Sequence, residues 1–257
     1  MSRIAPNASD APKQVVAVTG GTRGIGRAVA ELFSERGHMV AVSSRGERGE
    51  LPAPIAHFRS DARNRVEQSG FASDVRNRFG RLDVFVNSAA ISRWSAIGDV
   101  DERFASEILD TGLLGTLWGC AAAAEMLDRG GCIVNISSLA GKRGSARNSV
   151  YCAAKFAVNG ITQALAKELG PGGIRVNAVC PVYVETESIV ASLNEPASPA
   201  AGGSVRQYLS DFSRGQTALG RLPSAREVAE VVFFLASPSA SAITGQCINV
   251  DCGTLPQ

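Results

Sequence analysis

Tyr151 and Lys155 stand four residues apart in a stretch whose apolar spacing predicts a helix over 148–169. On a helix that spacing puts both side chains on one face. A phenol ordinarily ionises near pH 10, too high for efficient acid–base work at neutrality, whereas an adjacent ammonium stabilises the phenolate and lowers its pKa. The pair is suited to giving a proton to a substrate oxygen, or taking one from it. Alone, a Y-x-x-x-K spacing is common by chance. Ser138 strengthens it, standing thirteen residues before Tyr151 and just past an expected strand at 132–136. That is the carboxyl edge of a sheet, where ligands bind in open α/β folds.

A second chemical feature is the run Thr19-Gly20-Gly21-Thr22-Arg23-Gly24-Ile25-Gly26, between an apolar run at 15–19 and a helical pattern at 25–36. Gly20 can take a turn conformation closed to other residues, and Gly24 and Gly26 let backbone and helix approach a pyrophosphate. The helix N-terminus then offers unpaired N–H groups and a positive dipole end. A ligand-free glycine turn is the competing reading, and the strand–loop–helix context disfavours it.

The elements that must position these groups follow from periodicity. Strands are expected at 15–19, 39–43, 55–60, 82–86, 132–136, 174–179 and 247–250. Helices are expected at 25–36, 64–79, 101–128, 148–169 and 224–236. This alternation predicts the α/β class, with a single doubly wound parallel sheet flanked by helices, a Rossmann fold. The expected organisation is a flexible tail over 1–14 and one catalytic domain over 15–257. Within that domain, the Pro/Ala/Gly/Ser-rich stretch 187–215 reads as a mobile lid that orders on binding.

Bulk properties narrow the function. The net charge of +2 provides no electrostatic case for nucleic acid or a membrane surface. No apolar run is long enough to cross a bilayer, and the first residues lack the apolar core of a signal peptide, so a cytoplasmic location is expected. The six cysteines form no C-x-x-C pair and read as reduced, buried small residues. With two histidines, His38 and His57, both near apolar strands, neither a zinc site nor serine–histidine chemistry is expected.

The T-G-x-x-x-G-x-G spacing, the segment Ile136-Ser137-Ser138-Leu139-Ala140-Gly141 and the Tyr151/Lys155 pair together resemble the short-chain dehydrogenase/reductase family. The closest likeness is to the 3-oxoacyl-carrier-protein reductase group. The turn Asn87-Ser88-Ala89-Ala90 and the run from Pro181 to Thr186 are similar to further signatures, and the resemblance runs from Val15 to Gly253. It implies that Ser138 orients the substrate oxygen, Tyr151 exchanges the proton, and Lys155 binds the nicotinamide ribose and acidifies the tyrosine. It also implies cofactor contacts from Gly20, Thr22, Arg23, Gly24, Ile25, Gly26, Ser44, Arg45, Asp61, Ala62, Asn87, Ala89, Val184 and Thr186. The second strand ends Val42-Ser43-Ser44-Arg45 without the carboxylate that holds the ribose hydroxyls of NAD. Arg45 and Arg23 can instead pair with a 2′-phosphate, so NADP(H) is the expected cofactor.

Arg93, Trp94, Leu139, Asn148, Tyr183, Tyr208 and Phe212 are the candidate substrate-pocket residues. Lys142, Arg143 and Arg147 are expected to make the nearby surface basic. The expected partner is a small carbonyl or alcohol, free or carrier-bound. The alanine-rich stretch 119–125 matches a helix that joins subunits in the family, so a homotetramer or homodimer is expected.

Several positions depart from the family: Ser88, Ala90, Val182 and Cys252 stand where its signatures have other residues, the loop after Arg45 is short for the helix many relatives have there, and one departure falls on a catalytic position. At its N-x-x-G motif this chain reads Gly112-Leu113-Leu114-Gly115, with Gly112 in place of an asparagine that helps hold a water between the lysine and solvent. A backbone carbonyl and an additional water can substitute. Three readings stay open. The first is an NADP(H)-dependent ketoreductase. The second is an NAD(P)-dependent dehydrogenase oxidising a sugar, steroid or similar alcohol. The third is a dinucleotide-binding protein with impaired catalysis.

Overall fold

The computed structural model describes residues 13–256. The expected tail lies outside these residues up to position 12. Gln14, assigned to that tail, is fixed: its N–H donates to His38 Nδ1 at 3.0 Å and its carbonyl accepts from Met39 N at 2.9 Å. Gln14 therefore packs with the domain rather than with the tail.

Seven parallel strands form one sheet: β1 (Val15–Thr19), β2 (Met39–Ser44), β3 (Ala56–Arg59), β4 (Val84–Asn87), β5 (Cys132–Ile136), β6 (Arg175–Pro181) and β7 (Cys247–Val250), in the order β3-β2-β1-β4-β5-β6-β7. The order reverses between β1 and β4, and a crevice opens at the carboxyl ends of strands at such a point. Strands β1, β4 and β5 are buried along their whole length, as a sheet covered on both faces requires. Alternation along β1 sends Val16 and Val18 to one apolar layer and Val15 and Ala17 to the other.

Helices α1 (Gly24–Glu35) and α8 (Ala225–Ala236) cover the first face. There Phe33 and Leu235 are completely buried, each contributing about 1.5–3 kcal/mol. A reciprocal Ser224–Glu227 capping box starts α8. The second face carries α2 (Arg65–Phe79), α4 (Gly115–Met126) and α5 (Ser149–Leu169). Asn64 caps α2, and Gly80 ends it in the left-handed region.

Two elements differ from the sequence expectation. The single helix expected at 101–128 is broken: α3 (Glu102–Leu109) passes through a π turn (Asp110–Leu114) into α4. Such a turn adds one residue to a single helical turn, a slip too local for apolar spacing to mark. The stretch 187–215 contains α6 (Glu187–Leu193) and α7 (Val205–Gln216), capped by Thr186 and Ser204. They share a small apolar cluster of Trp94, Leu193, Val205 and Leu209. All six cysteines are free; Cys247 and Cys252 are partly exposed rather than buried. Among the described residues no helix is long and apolar enough to cross a membrane.

Candidate active site

The loop between β1 and α1 is held by backbone contacts. Gly20 has φ +64°, and a Cβ there would lie 2.9 Å from Ala89 Cα; a Cβ on Gly26 would lie 2.5 Å from the Gly20 carbonyl oxygen. No other residue type fits either place without displacing main chain. The Thr19 hydroxyl accepts from Ser88 N at 3.1 Å and Ala89 N at 3.3 Å, joining the ends of β1 and β4. Arg23 precedes α1 without a side-chain cap, so the first N–H groups of that helix face the crevice uncapped. A helix start bared in this way suits a pyrophosphate.

The crevice is a cleft of about 1070 Å³. Its walls include Gly20, Thr22, Arg23, Gly24, Ile25, Gly26, Ser44, Arg45, Asp61, Ala62, Ala89, Val184 and Thr186, and also Ser138, Tyr151 and Lys155. Residues far apart in sequence thus meet on one surface. Asn87 is the exception and a correction. It is 3 % exposed, does not line the cleft, and donates from Nδ2 to Asn135 Oδ1 at 2.9 Å. A Cβ on Gly119 would lie 1.9 Å from Asn87 Oδ1. The bare backbone of α4 thus makes the hole that draws this side chain under the sheet edge.

At the far end Arg45 is exposed and forms no hydrogen bond or ion pair within the described residues, although its charge reaches Asp61. Asp61 pairs with Arg63 at 2.6 Å, and that partner holds its carboxyl below the usual range. The cleft therefore combines an uncapped helix start, a backbone-tight glycine turn and an unpaired guanidinium, a donor set that fits a phosphorylated dinucleotide.

Ser138 follows β5 and caps a short 3-10 turn, its Oγ accepting from Ala140 N at 3.1 Å. The Ser138 hydroxyl donates to the Pro181 carbonyl at 3.5 Å. Lys155, 2 % exposed, donates from Nζ to the Ile136 carbonyl at 2.8 Å, and Nζ lies 5.6 Å from the centre of the Tyr151 ring. Burial pushes the Tyr151 phenol up to about 12, against the smaller lowering effect of the nearby Ser138 hydroxyl. Burial likewise brings Lys155 down to about 8. This corrects the expectation of an acidified phenol: desolvation sets the direction of the shift, and Lys155 does not offset it. The consequence is a tyrosine that keeps its proton at neutral pH, the state required of a donor.

At the substrate end Arg93, Trp94, Leu139, Asn148, Tyr183, Phe212 and Arg143 line the cleft. Tyr208 stands behind them, its hydroxyl 3.1 Å from that of Tyr183, and the Tyr183 and Phe212 rings pack edge to face at 4.9 Å. Asn148 is 6 % exposed and its Oδ1 has no protein partner. Lys142 and Arg147 are not in the walls; Lys142 Nζ donates to the Cys247 carbonyl at 2.6 Å. Sequence reasoning missed Thr111, Glu107 and Glu195, which also line the cleft. Arg93 bridges the two carboxylates, to Glu195 at 2.9 Å and Glu107 at 3.0 Å. Nothing local marked those glutamates, because Arg93 and Glu195 are 102 residues apart. Gly112 is buried in the π turn, and its carbonyl accepts from the Thr116 hydroxyl at 2.9 Å.

A family model described as enoyl-(acyl carrier protein) reductase matches residues 20–254. Diacetyl reductase [(S)-acetoin forming] of Staphylococcus aureus is 37% identical over 256 residues, spanning 93% of this chain and 97% of its own. Two solved structures share the architecture. Ligand-free aldohexose dehydrogenase of Thermoplasma acidophilum has a TM-score of 0.87 at 32% identity, over 97% of this chain and 99% of that one. A single-substitution variant of actinorhodin polyketide ketoreductase, solved with NADPH, has a TM-score of 0.86 at 32% identity, over 94% of this chain and 97% of that one.

Proposed function

The chain belongs to the short-chain dehydrogenase/reductase family of oxidoreductases, and from that premise we propose that it is an NADP(H)-dependent ketoreductase of a flat, apolar carbonyl compound. The observation that carries this reading is the meeting of Ser138, Tyr151 and Lys155 on the wall that also holds the glycine loop. Ser138 and Tyr151 present two hydroxyls to a substrate oxygen, and Tyr151 gives up its proton as charge develops there. Buried Lys155 holds a positive charge beside the resulting phenolate. When bound, the nicotinamide supplies the hydride.

Unpaired Arg45 supports the phosphorylated cofactor, and the NADPH complex of the polyketide ketoreductase supports it by likeness. The Trp94–Tyr183–Phe212 wall supports the substrate class. The likeness to aldohexose dehydrogenase favours a second reading, oxidation of a sugar or similar alcohol. Assembly as a homotetramer or homodimer belongs to the same proposal; Phe156 on α5 is 49% exposed, and light scattering tests it.

The deciding experiment follows nicotinamide absorbance with panels of cyclic ketones, thioesters and sugars, using NADPH and NADH in parallel. Reduction of cyclic ketones with NADPH is expected. Turnover of sugars alone with NAD would replace the first reading by the second.

A further inference from the structure

Ser44 ends β2 at the cofactor end of the cleft, next to Arg45. Its hydroxyl has one proton, which it donates to the Gly46 carbonyl at 3.1 Å. Its other neighbour is His57 Nε2 at 2.8 Å. Geometry allows either direction in that contact; with the hydroxyl proton on the Gly46 carbonyl or on a bound phosphate oxygen, the imidazole is the donor, which requires hydrogen on Nε2. His57 lies on β3, its Cα paired with that of Val42, two residues before Ser44. From there it reaches Ser44 from behind the cleft wall, and it is not itself part of that wall.

We propose that His57 is a specificity-determining positioning residue: by donating to Ser44 Oγ it leaves the Ser44 proton directed outward, toward a 2′-phosphate paired with Arg45. The inference rests on the NADP(H) reading above and deepens it. A free serine hydroxyl rotates among its neighbours. Here one lone pair is taken by a fixed donor, which narrows the directions left to the proton. On phosphate binding the proton passes from the Gly46 carbonyl to a phosphate oxygen while the His57 contact persists. A hydrogen bond to a charged oxygen is about twice as strong as one to a neutral hydroxyl. The orientation therefore favours the phosphorylated dinucleotide over NADH, whose ribose offers only a hydroxyl at that place.

The experiment titrates intrinsic protein fluorescence with NADPH and with NADH, without substrate. The proteins compared are the parent, His57→Phe, His57→Gln, Ser44→Ala and Arg45→Ala. His57→Phe is expected to weaken NADPH about three- to tenfold and to leave NADH within about twofold, the effect of one oriented hydrogen bond. His57→Gln, whose amide nitrogen reaches the place of Nε2, is expected to restore NADPH binding. Ser44→Ala is expected to match His57→Phe, and combining the two to add nothing further. The inference is overturned if His57→Phe leaves NADPH affinity intact, weakens both nucleotides equally, or is not rescued by glutamine. Should the phenylalanine variant not fold, NADPH affinity unchanged in Ser44→Ala overturns it as well. Arg45→Ala separates the two levels. If that change spares the preference for NADPH, or the parent has none, the cofactor reading itself fails. If it removes the preference and the His57 variants do not, only the present inference falls.

Discussion

Lys155 Nζ lies one helical turn from Tyr151, 5.6 Å from the centre of its ring, and donates to the Ile136 carbonyl at the end of β5. The ammonium is thus fixed by the sheet edge. Both side chains project from α5 into the cleft wall. Burial raises the phenol to about 12 and lowers the ammonium to about 8. Both shifts favour neutral side chains, so protonated Tyr151 is the resting form.

Tyr151→Phe removes the proton donor and leaves the glycine loop untouched. Turnover is expected to fall about 10²- to 10⁴-fold, the usual worth of a placed general acid. NADPH affinity, read by fluorescence titration, is expected to stay within about twofold. A variant that kept its turnover would end the account of Tyr151 as donor.

Lys155 also sets a pH dependence of stability. Its folded pKa of about 8 lies below the ordinary 10.5. Between those values the unfolded chain binds more protons than the folded one, so stability rises with pH across this window. Lys155→Met lacks the effect. In urea unfolding, the parent is expected to gain about 2 kcal/mol relative to the methionine variant between about pH 7.5 and about pH 9.5. A gap that does not change with pH would mean that the lysine is hydrated in the folded state.

The parallel sheet was legible because buried strands and amphipathic helices alternate; β1, β5 and β7 have the bounds that periodicity assigns. The glycine loop and the Ser138, Tyr151 and Lys155 positions were legible because their chemistry requires close spacing in sequence. What was hidden depends on long-range packing. Asn87 turns away from the cleft only because Gly119, on another element, leaves room for it. Helices α6 and α7 bury their apolar sides against Trp94, about 100 residues earlier in the chain, and not against the main core. The direction of the Tyr151 shift depends on burial, which no spacing encodes.

Gly112→Asn tests the departure at the catalytic asparagine position. A Cβ at Gly112 would meet only Ala154 Cβ, at 3.7 Å, an ordinary contact. The variant is therefore expected to fold, with a gain of a few tenths of a kcal/mol from helix propensity. If the asparagine restores a water between Lys155 and solvent, turnover should rise several-fold with KM unchanged. Unchanged turnover in a folded variant would show that the asparagine side chain is not required at this position.

Arg93 ties the α6–α7 segment to the rest of the domain. Its guanidinium binds Glu195, just past α6, and Glu107 on α3, and it rests 5.2 Å from the Phe104 ring. These side chains are about a third exposed, so each pair contributes at most about 1 kcal/mol to global stability. The consequence falls instead on the segment over the substrate end. Arg93→Gln removes both ion pairs and leaves the Trp94 cluster in place. Amides over 187–216 are expected to exchange with deuterium several-fold faster, while β1 and β5 keep their protection. KM for the carbonyl substrate is expected to rise more than kcat falls, because the bridge positions the wall and takes no part in proton transfer. Glu195→Gln should reproduce most of both effects and Glu107→Gln less, because only Glu195 adjoins the α6–α7 segment. Equal exchange in the parent and Arg93→Gln would reduce the bridge to a surface contact.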